Sequence, residues 1–168
     1  MKKSRYIAVM GLMLALAAAL QFLESMIPIP LPLGVKPGIS SIVIMVVLVK
    51  FGFLSAMTLA VLKSGFVFIT RGATAFCMSV SGGVLSVAVM GAVLILSRRS
   101  KNGTGILLMS VLGGVSHNIG QLAAASVFMG SALTFSYLPV LVIAGIISGM
   151  FTGTVFKFVL PYLCKNDE

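Results

Sequence analysis

The chain has 168 residues, of which 59% are apolar, and twelve Lys and Arg against three acids give it a net charge of +9. Mean hydropathy is +1.17. Only 9% of the residues are charged, where a soluble domain carries roughly 25%, so a water-soluble globular fold is excluded.

A crossing of the hydrocarbon core takes about 20 apolar residues. The length therefore allows about six spans in a single membrane domain, residues 1–168, with little chain left for a soluble one. The basic excess does not indicate nucleic acid, because most of the cations flank apolar runs, where they set topology. There is no Trp, so any aromatic belt comes from Tyr6, Tyr137, Tyr162 and the Phe residues.

The first segment runs from about Tyr6 to Leu23. Its start, Met1-Lys2-Lys3-Ser4-Arg5 and then an Ala-rich run, imitates a signal peptide. Everything downstream is equally apolar, which predicts an uncleaved first helix. Gly11, Ala15 and Ala19 recur every four residues and form a flat strip where another helix can approach closely. Two readings fit: docking of a partner membrane protein, and packing within the bundle.

Apart from Asp167 and Glu168, Glu24 is the only acid. It opens a stretch with Pro28, Pro30, Pro32 and Pro37, which cannot continue a helix. Residues 24–38 read either as a lid folded over a cavity, with Glu24 and Lys36 near its ends, or as a stiff interfacial connection. In the lid reading Glu24 is a latch paired with Lys36 or Arg71.

The second segment, about Ile39 to Val49, and the third, about Leu54 to Ile69, are short for full spans; they could tilt, or one could only dip into the bilayer. The third contains Lys63, and Arg71 ends it. The fourth, about Phe76 to Leu96, carries Ser79-Val80-Ser81-Gly82-Gly83, a close-packing seam whose Gly pair could also bend the helix. The fifth runs from about Ile106 to Met129 and carries Ser116-His117-Asn118-Ile119-Gly120-Gln121. On a helix His117, Gly120 and Gln121 share a face, as do Gly113 and His117, so the glycines would leave room beside the imidazole. Burying such polar groups without partners costs on the order of 1–3 kcal/mol each. Either they satisfy one another between helices or they line a ligand cavity; Lys63, at similar depth, favours the cavity. The sixth segment, about Tyr137 to Leu160, has Gly145, Gly149 and Gly153 at spacing four, a second packing seam.

Charge orients these segments. An N-terminus in the cytoplasm places Lys2, Lys3, Arg5, Lys50, Arg98, Arg99, Lys101, Lys157 and Lys165 inside and only Lys36 and Arg71 outside. Nine against two is a strong positive-inside bias, and both termini are then cytoplasmic.

Several chemistries have no residues to carry them. There are no paired Asp-rich motifs to hold magnesium and a diphosphate, and no phosphate-binding Gly-rich loop ending in Lys-Ser or Lys-Thr. One His with one acid is too little for a metal site. Cys77 and Cys164 fall on opposite sides of the membrane in this topology and do not form a disulfide framework.

Four pieces in order carry a family likeness: Leu23-Glu24-Ser25 with the Pro run and Gly34-Val35-Lys36; Ser79-Val80-Ser81-Gly82-Gly83; His117-Asn118-Ile119-Gly120-Gln121; and Tyr137-Leu138-Pro139 before a Gly-rich final helix. From about Leu12 to Phe156 the chain resembles the Gx transporter family, often labelled heptaprenyl diphosphate synthase component I. That family is similar to the substrate-binding S components of energy-coupling factor transporters. The resemblance implies a six-helix bundle of the bacterial cytoplasmic membrane with an outer cavity closed by the loop after the first helix. It further implies a first-helix Ala-x-x-x-Ala strip, matched by Ala15 and Ala19, that docks a transmembrane coupling subunit driven by ATPases. Family members also occur with flavin-linked electron-transfer systems. The family pattern favours Arg where this chain has Lys63, which keeps the charge but loses the planar fork for bidentate anion binding.

The expectation is an all-α integral membrane protein, a six-transmembrane-helix bundle that is not an enzyme and has no cofactor or metal. Its function is small-molecule uptake. Glu24, Lys36, Lys63, Arg71, His117, Asn118 and Gln121 would contact an anionic or partly anionic ligand, and Gly11, Ala15 and Ala19 would dock a partner. The alternative is a non-catalytic membrane accessory subunit of a prenyl diphosphate synthase or of a flavin-linked electron-transfer complex.

Overall fold

The computed structural model describes residues 3–26, 38–97, 105–130 and 132–164. These form six α-helices: α1 (Lys3–Met26), α2 (Ser40–Phe51), α3 (Phe53–Arg71), α4 (Ala73–Ser97), α5 (Gly105–Met129) and α6 (Leu138–Cys164). A 3-10 turn, Ala132–Tyr137, leads into α6, and there is no strand among the described residues. All of them except α2 are long and apolar enough to cross a membrane. The protein is thus an all-α, multi-pass membrane bundle.

Local chemistry sets the helix boundaries. α2, α3 and α4 are separated by single residues, Gly52 at φ 90° and Gly72 at φ 86°. Only glycine holds that conformation without strain, so each reverses the chain in one step. Pro139 sits in the first turn of α6, where its missing N–H costs nothing.

α2 solves the problem of a short helix. Its 12 residues rise about 18 Å, well under the roughly 30 Å hydrocarbon core. It does not face lipid. Every residue from Val43 to Leu48 is buried, and α1, α3, α4 and α6 surround it. The main apolar core forms around it, with Ala17, Leu59, Val87, Met109 and Phe156 contributed by the other helices.

The outer surface is apolar. Leu12 and Leu16 on α1, Ile69 on α3, Ile95 on α4 and Ile147 on α6 are all exposed. In water such a continuous apolar exterior would aggregate; in a bilayer it is the lipid-facing surface.

Glycines set the closest helix approaches. A Cβ on Gly145 would lie 2.9 Å from the Cα of Val111's neighbour along the seam, Val115, and one on Gly149 would lie 2.6 Å from the Cα of Val111. The α5–α6 seam is therefore a backbone-to-backbone contact at Gly145 and Gly149, while Gly153 packs against the Ser110 and Leu107 side chains. Likewise α4 runs unbroken through Gly82 and Gly83. Gly82 faces His117 and Gly83 faces Ala60, so the pair packs rather than bends the helix.

α1 lies at the edge of the bundle, with only Ala17 and Glu24 buried. Gly11, Ala15 and Ala19 are exposed, and a Cβ on Gly11 would meet nothing within 4 Å. Among the described residues, then, the strip is left exposed and not packed within the bundle.

Candidate functional site

The end of α1, the start of α2, the second half of α3, the start of α4 and the second half of α5 meet at one end of the bundle. Between them is a cavity of about 330 Å3, within the usual range of small-molecule sites. Glu24, Lys63, Arg71, His117, Asn118 and Gln121 all line it, with Gln21, Ser40, Ser41 and Ser79. Val67, Ala75, Met78 and Met129 supply apolar wall. Lys36 lies outside the described residues, as does the Pro-rich stretch 27–37 read as a lid.

A buried polar chain forms the floor. Glu24 is 3% exposed and Lys63 5%, which leaves neither charge to water. The Ser40 backbone N–H, the first of α2, donates to Glu24 Oε1 at 2.7 Å, and the Ser40 hydroxyl donates to Oε2 at 3.5 Å. Lys63 Nζ donates to the same hydroxyl at 3.1 Å. Glu24 thus caps α2 from a different helix, placing a negative charge where the dipole favours it, and meets Lys63 through Ser40. Among the described residues the nearest charge to Glu24 is Lys63, one hydroxyl away, and not Arg71; Lys36, the other partner expected from sequence, lies outside the described residues. Arg71, at the end of α3, is exposed at the cavity rim.

The α5 wall is built by close packing against α4. The position a Cβ of Gly82 would take lies 2.8 Å from the His117 carbonyl oxygen, 3.1 Å from His117 Cε1 and 2.9 Å from Gln121 Cγ. The missing side chain of Gly82 is what makes space for the imidazole. Gly120 and Gly113 do not leave that room, contrary to expectation. Gly120 lies against the Ser81 and Gly82 backbone, and Gly113 against Met90. Across the same interface Ser81 Oγ donates to the Gly120 carbonyl at 2.9 Å, and Ser86 Oγ to that of Gly113 at 2.8 Å. Asn118 reaches the other way, its Nδ2 donating to the Leu141 carbonyl of α6 at 2.8 Å. That bond ties α5 to α6.

Sequence reasoning missed Gln21, Ser40 and Ser79. Ser79 shares a hydroxyl–hydroxyl bond of 2.9 Å with Ser64 of α3. The Oε1 of Gln21 is buried without a hydrogen-bond partner among the described residues. Gln21 lies three residues before Glu24, and that i, i+3 spacing puts both on one helix face, a signal available from sequence alone.

The arrangement can bind a compact polar molecule. Among the described residues there is no group of three or more His, Cys, Asp and Glu placed to hold a metal.

Neither a curated protein nor a solved structure matches the chain. A sequence profile of the family described as heptaprenyl diphosphate synthase component I matches residues 13–159, a stretch that takes in α2 to α5, most of α1 and α6, and all the described cavity-lining residues. The chain is a member of the heptaprenyl diphosphate synthase component I family.

Proposed function

We propose that the protein is the substrate-binding membrane subunit of a small-molecule uptake system. The observation that carries this reading is the convergence of Glu24, Lys63, Arg71, His117, Asn118 and Gln121 on one cavity at one end of the bundle. Ionisable groups kept inside a membrane domain are expensive and mark ligand pathways. The charge bias of the sequence puts this end outside, so ligand enters from the outer face, and residues 24–38 supply the cover. Lys63, Arg71, His117, Asn118 and Gln121 contact the ligand, and the cationic excess at the site favours an anionic or partly anionic one. Exposure of Gly11, Ala15 and Ala19 at the bundle edge supports docking of a transmembrane coupling subunit there. Transport then draws its energy from partner ATPases, since this chain has no nucleotide-binding loop.

The test is native mass spectrometry of protein extracted from its own membrane, to find a retained small molecule, followed by binding of that molecule to purified variants. Replacing His117 and Gln121 by Ala should weaken binding at least tenfold with the fold intact. Unchanged affinity rejects the cavity assignment.

The family description favours a second reading, an accessory subunit of a prenyl diphosphate synthase. Such a subunit would be non-catalytic. A cavity of 330 Å3 holds about eleven waters at their liquid volume of about 30 Å3, and a seven-unit prenyl diphosphate has several times that many heavy atoms. Co-purification separates the two readings: a soluble prenyltransferase supports the accessory role, a coupling protein with ATPases supports uptake, and flavin-linked electron-transfer proteins support a third assembly.

A further inference from the structure

We propose that the α2 N-terminus, Ser40 and Lys63 form a carboxylate-binding subsite that Glu24 fills from within the chain, so that a small carboxylate ligand enters by displacing Glu24. The inference rests on the reading of the cavity as a ligand site and names the ligand chemistry for it.

Three features of the site lead there. First, a carboxylate already sits on it. Glu24 Oε1 takes the first N–H of α2 at 2.7 Å, and a buried ammonium lies one hydroxyl away. A helix N-terminus beside a cation is a general anion site, and here its occupant is a planar two-oxygen group. Second, the occupant fits only in part. Its second oxygen reaches the Ser40 hydroxyl at 3.5 Å, against roughly 2.5–2.7 Å for a good O–H···O− bond. Lys63 and Glu24 are not in direct contact, and Ser40 takes only one of the three N–H bonds that an ammonium offers. A free carboxylate, not tethered to α1, can turn its second oxygen onto Lys63. Third, the wall carries an unanswered acceptor. Gln21 Oε1 is buried without a hydrogen-bond partner among the described residues, and such an atom calls for a donor. The ligand therefore bears a hydroxyl or amine N–H besides its carboxylate. Arg71 at the rim gives an incoming anion its first attraction.

Displacement has a consequence for the chain. Glu24 lies near the end of α1 and Ser40 begins α2, so their bond ties the two helices together. A ligand that takes the place of Glu24 at Ser40 breaks that tie and releases α1 at that point.

The experiment uses purified full-length protein in detergent micelles, with thermal unfolding followed against acetate, lactate, inorganic phosphate and chloride at matched ionic strength. A site that Glu24 fills about nine-tenths of the time is weakened about tenfold for any competitor. Glu24→Gln removes the competing charge and keeps an acceptor for the Ser40 N–H, so acetate and lactate should stabilise it with an apparent Kd about tenfold lower than wild type. Lactate, with its hydroxyl, should outperform acetate. The response should vanish in Glu24→Gln/Lys63→Met. In Glu24→Ala, which loses the tie, acetate should restore part of the lost Tm, a rescue that reads out even if the variant is unstable. Equal or weaker carboxylate responses in the Glu24 variants overturn the displacement but leave the cavity reading standing. An equal response to phosphate overturns the carboxylate assignment. No response in any variant also overturns it, and the molecule retained from the membrane then judges the cavity reading separately.

Discussion

Replacing Lys63 by Met should destabilise the protein by about 3 kcal/mol, and most of that loss should disappear when Glu24 is already Gln. The two charges are joined through Ser40 by contacts of 3.1 and 3.5 Å in series, and both side chains are almost wholly buried. Unit charges about 6 Å apart at an effective dielectric of about 20 attract by about 3 kcal/mol. Breaking a buried pair from one side leaves the other charge uncompensated, which typically costs about 3–5 kcal/mol. Lys63→Met strands the Glu24 carboxylate, and Glu24→Gln strands the ammonium. The double variant strands neither, so its loss should be close to that of one single variant, with a coupling energy of about 2–3 kcal/mol. The assay is a double-mutant cycle on reversible unfolding in mixed detergent micelles. Effects that add to within about 0.5 kcal/mol would show that Ser40 does not link the two charges, and the floor of the cavity would need a different account.

Three further outcomes follow from the packing. Gly149→Leu should prevent stable α5–α6 packing, because even a Cβ there would lie 2.6 Å from the Val111 Cα and 2.8 Å from the Ser110 carbonyl oxygen; a loss of about 3 kcal/mol or more should appear as a lowered Tm and poor recovery from the membrane. Gly11→Leu, which meets open space, should leave Tm within about 2 °C of wild type, and in the uptake reading it should reduce co-purification of the coupling partner. Asn118→Leu removes the donor to the Leu141 carbonyl and should cost about 1–3 kcal/mol, whereas Asn118→Asp should cost more, since it adds a buried charge and loses the donor as well; chemical denaturation ranks the two.

Much of the site could be read in the sequence because polar residues are rare in apolar helices. Lys63, His117, Asn118 and Gln121 stand out for that reason, and all four line the cavity. Ser40 and Ser79 do not stand out, since serines are ordinary at helix starts and in packing seams. Their roles depend on which helix faces which, and local periodicity does not encode that. The partner of Glu24 illustrates the point. Arg71 is a plausible neighbour by position near the outer end of its segment, but among the described residues a hydroxyl on α2 decides the geometry and brings in Lys63. The glycines of α5 show a related limit. Gly113 and Gly120 share a face with His117, but whether a missing side chain leaves a void or admits a neighbouring helix depends on that neighbour. Here α4 fills the space, and Gly82 on α4 supplies the room instead. Four of the five long spans were legible from hydropathy, but the third segment, read as short, is a 19-residue helix long enough to cross. The brevity of the second segment was legible too; its burial among the other helices was not.

The sheathing of α2 fixes an order of assembly. A helix that rises about 18 Å cannot rest alone across a bilayer with a core of roughly 30 Å, and α6, one of the helices that cover it, is synthesised long after it. Until α6 arrives, that flank of α2 has no permanent neighbour. Glu24 can hold the Ser40 end of α2 from the outset, because α1 precedes it in the chain. Of the helices that cover α2, α1 and α3 are its neighbours in the chain, whereas the cover that α6 provides exists only once the last helix is in place.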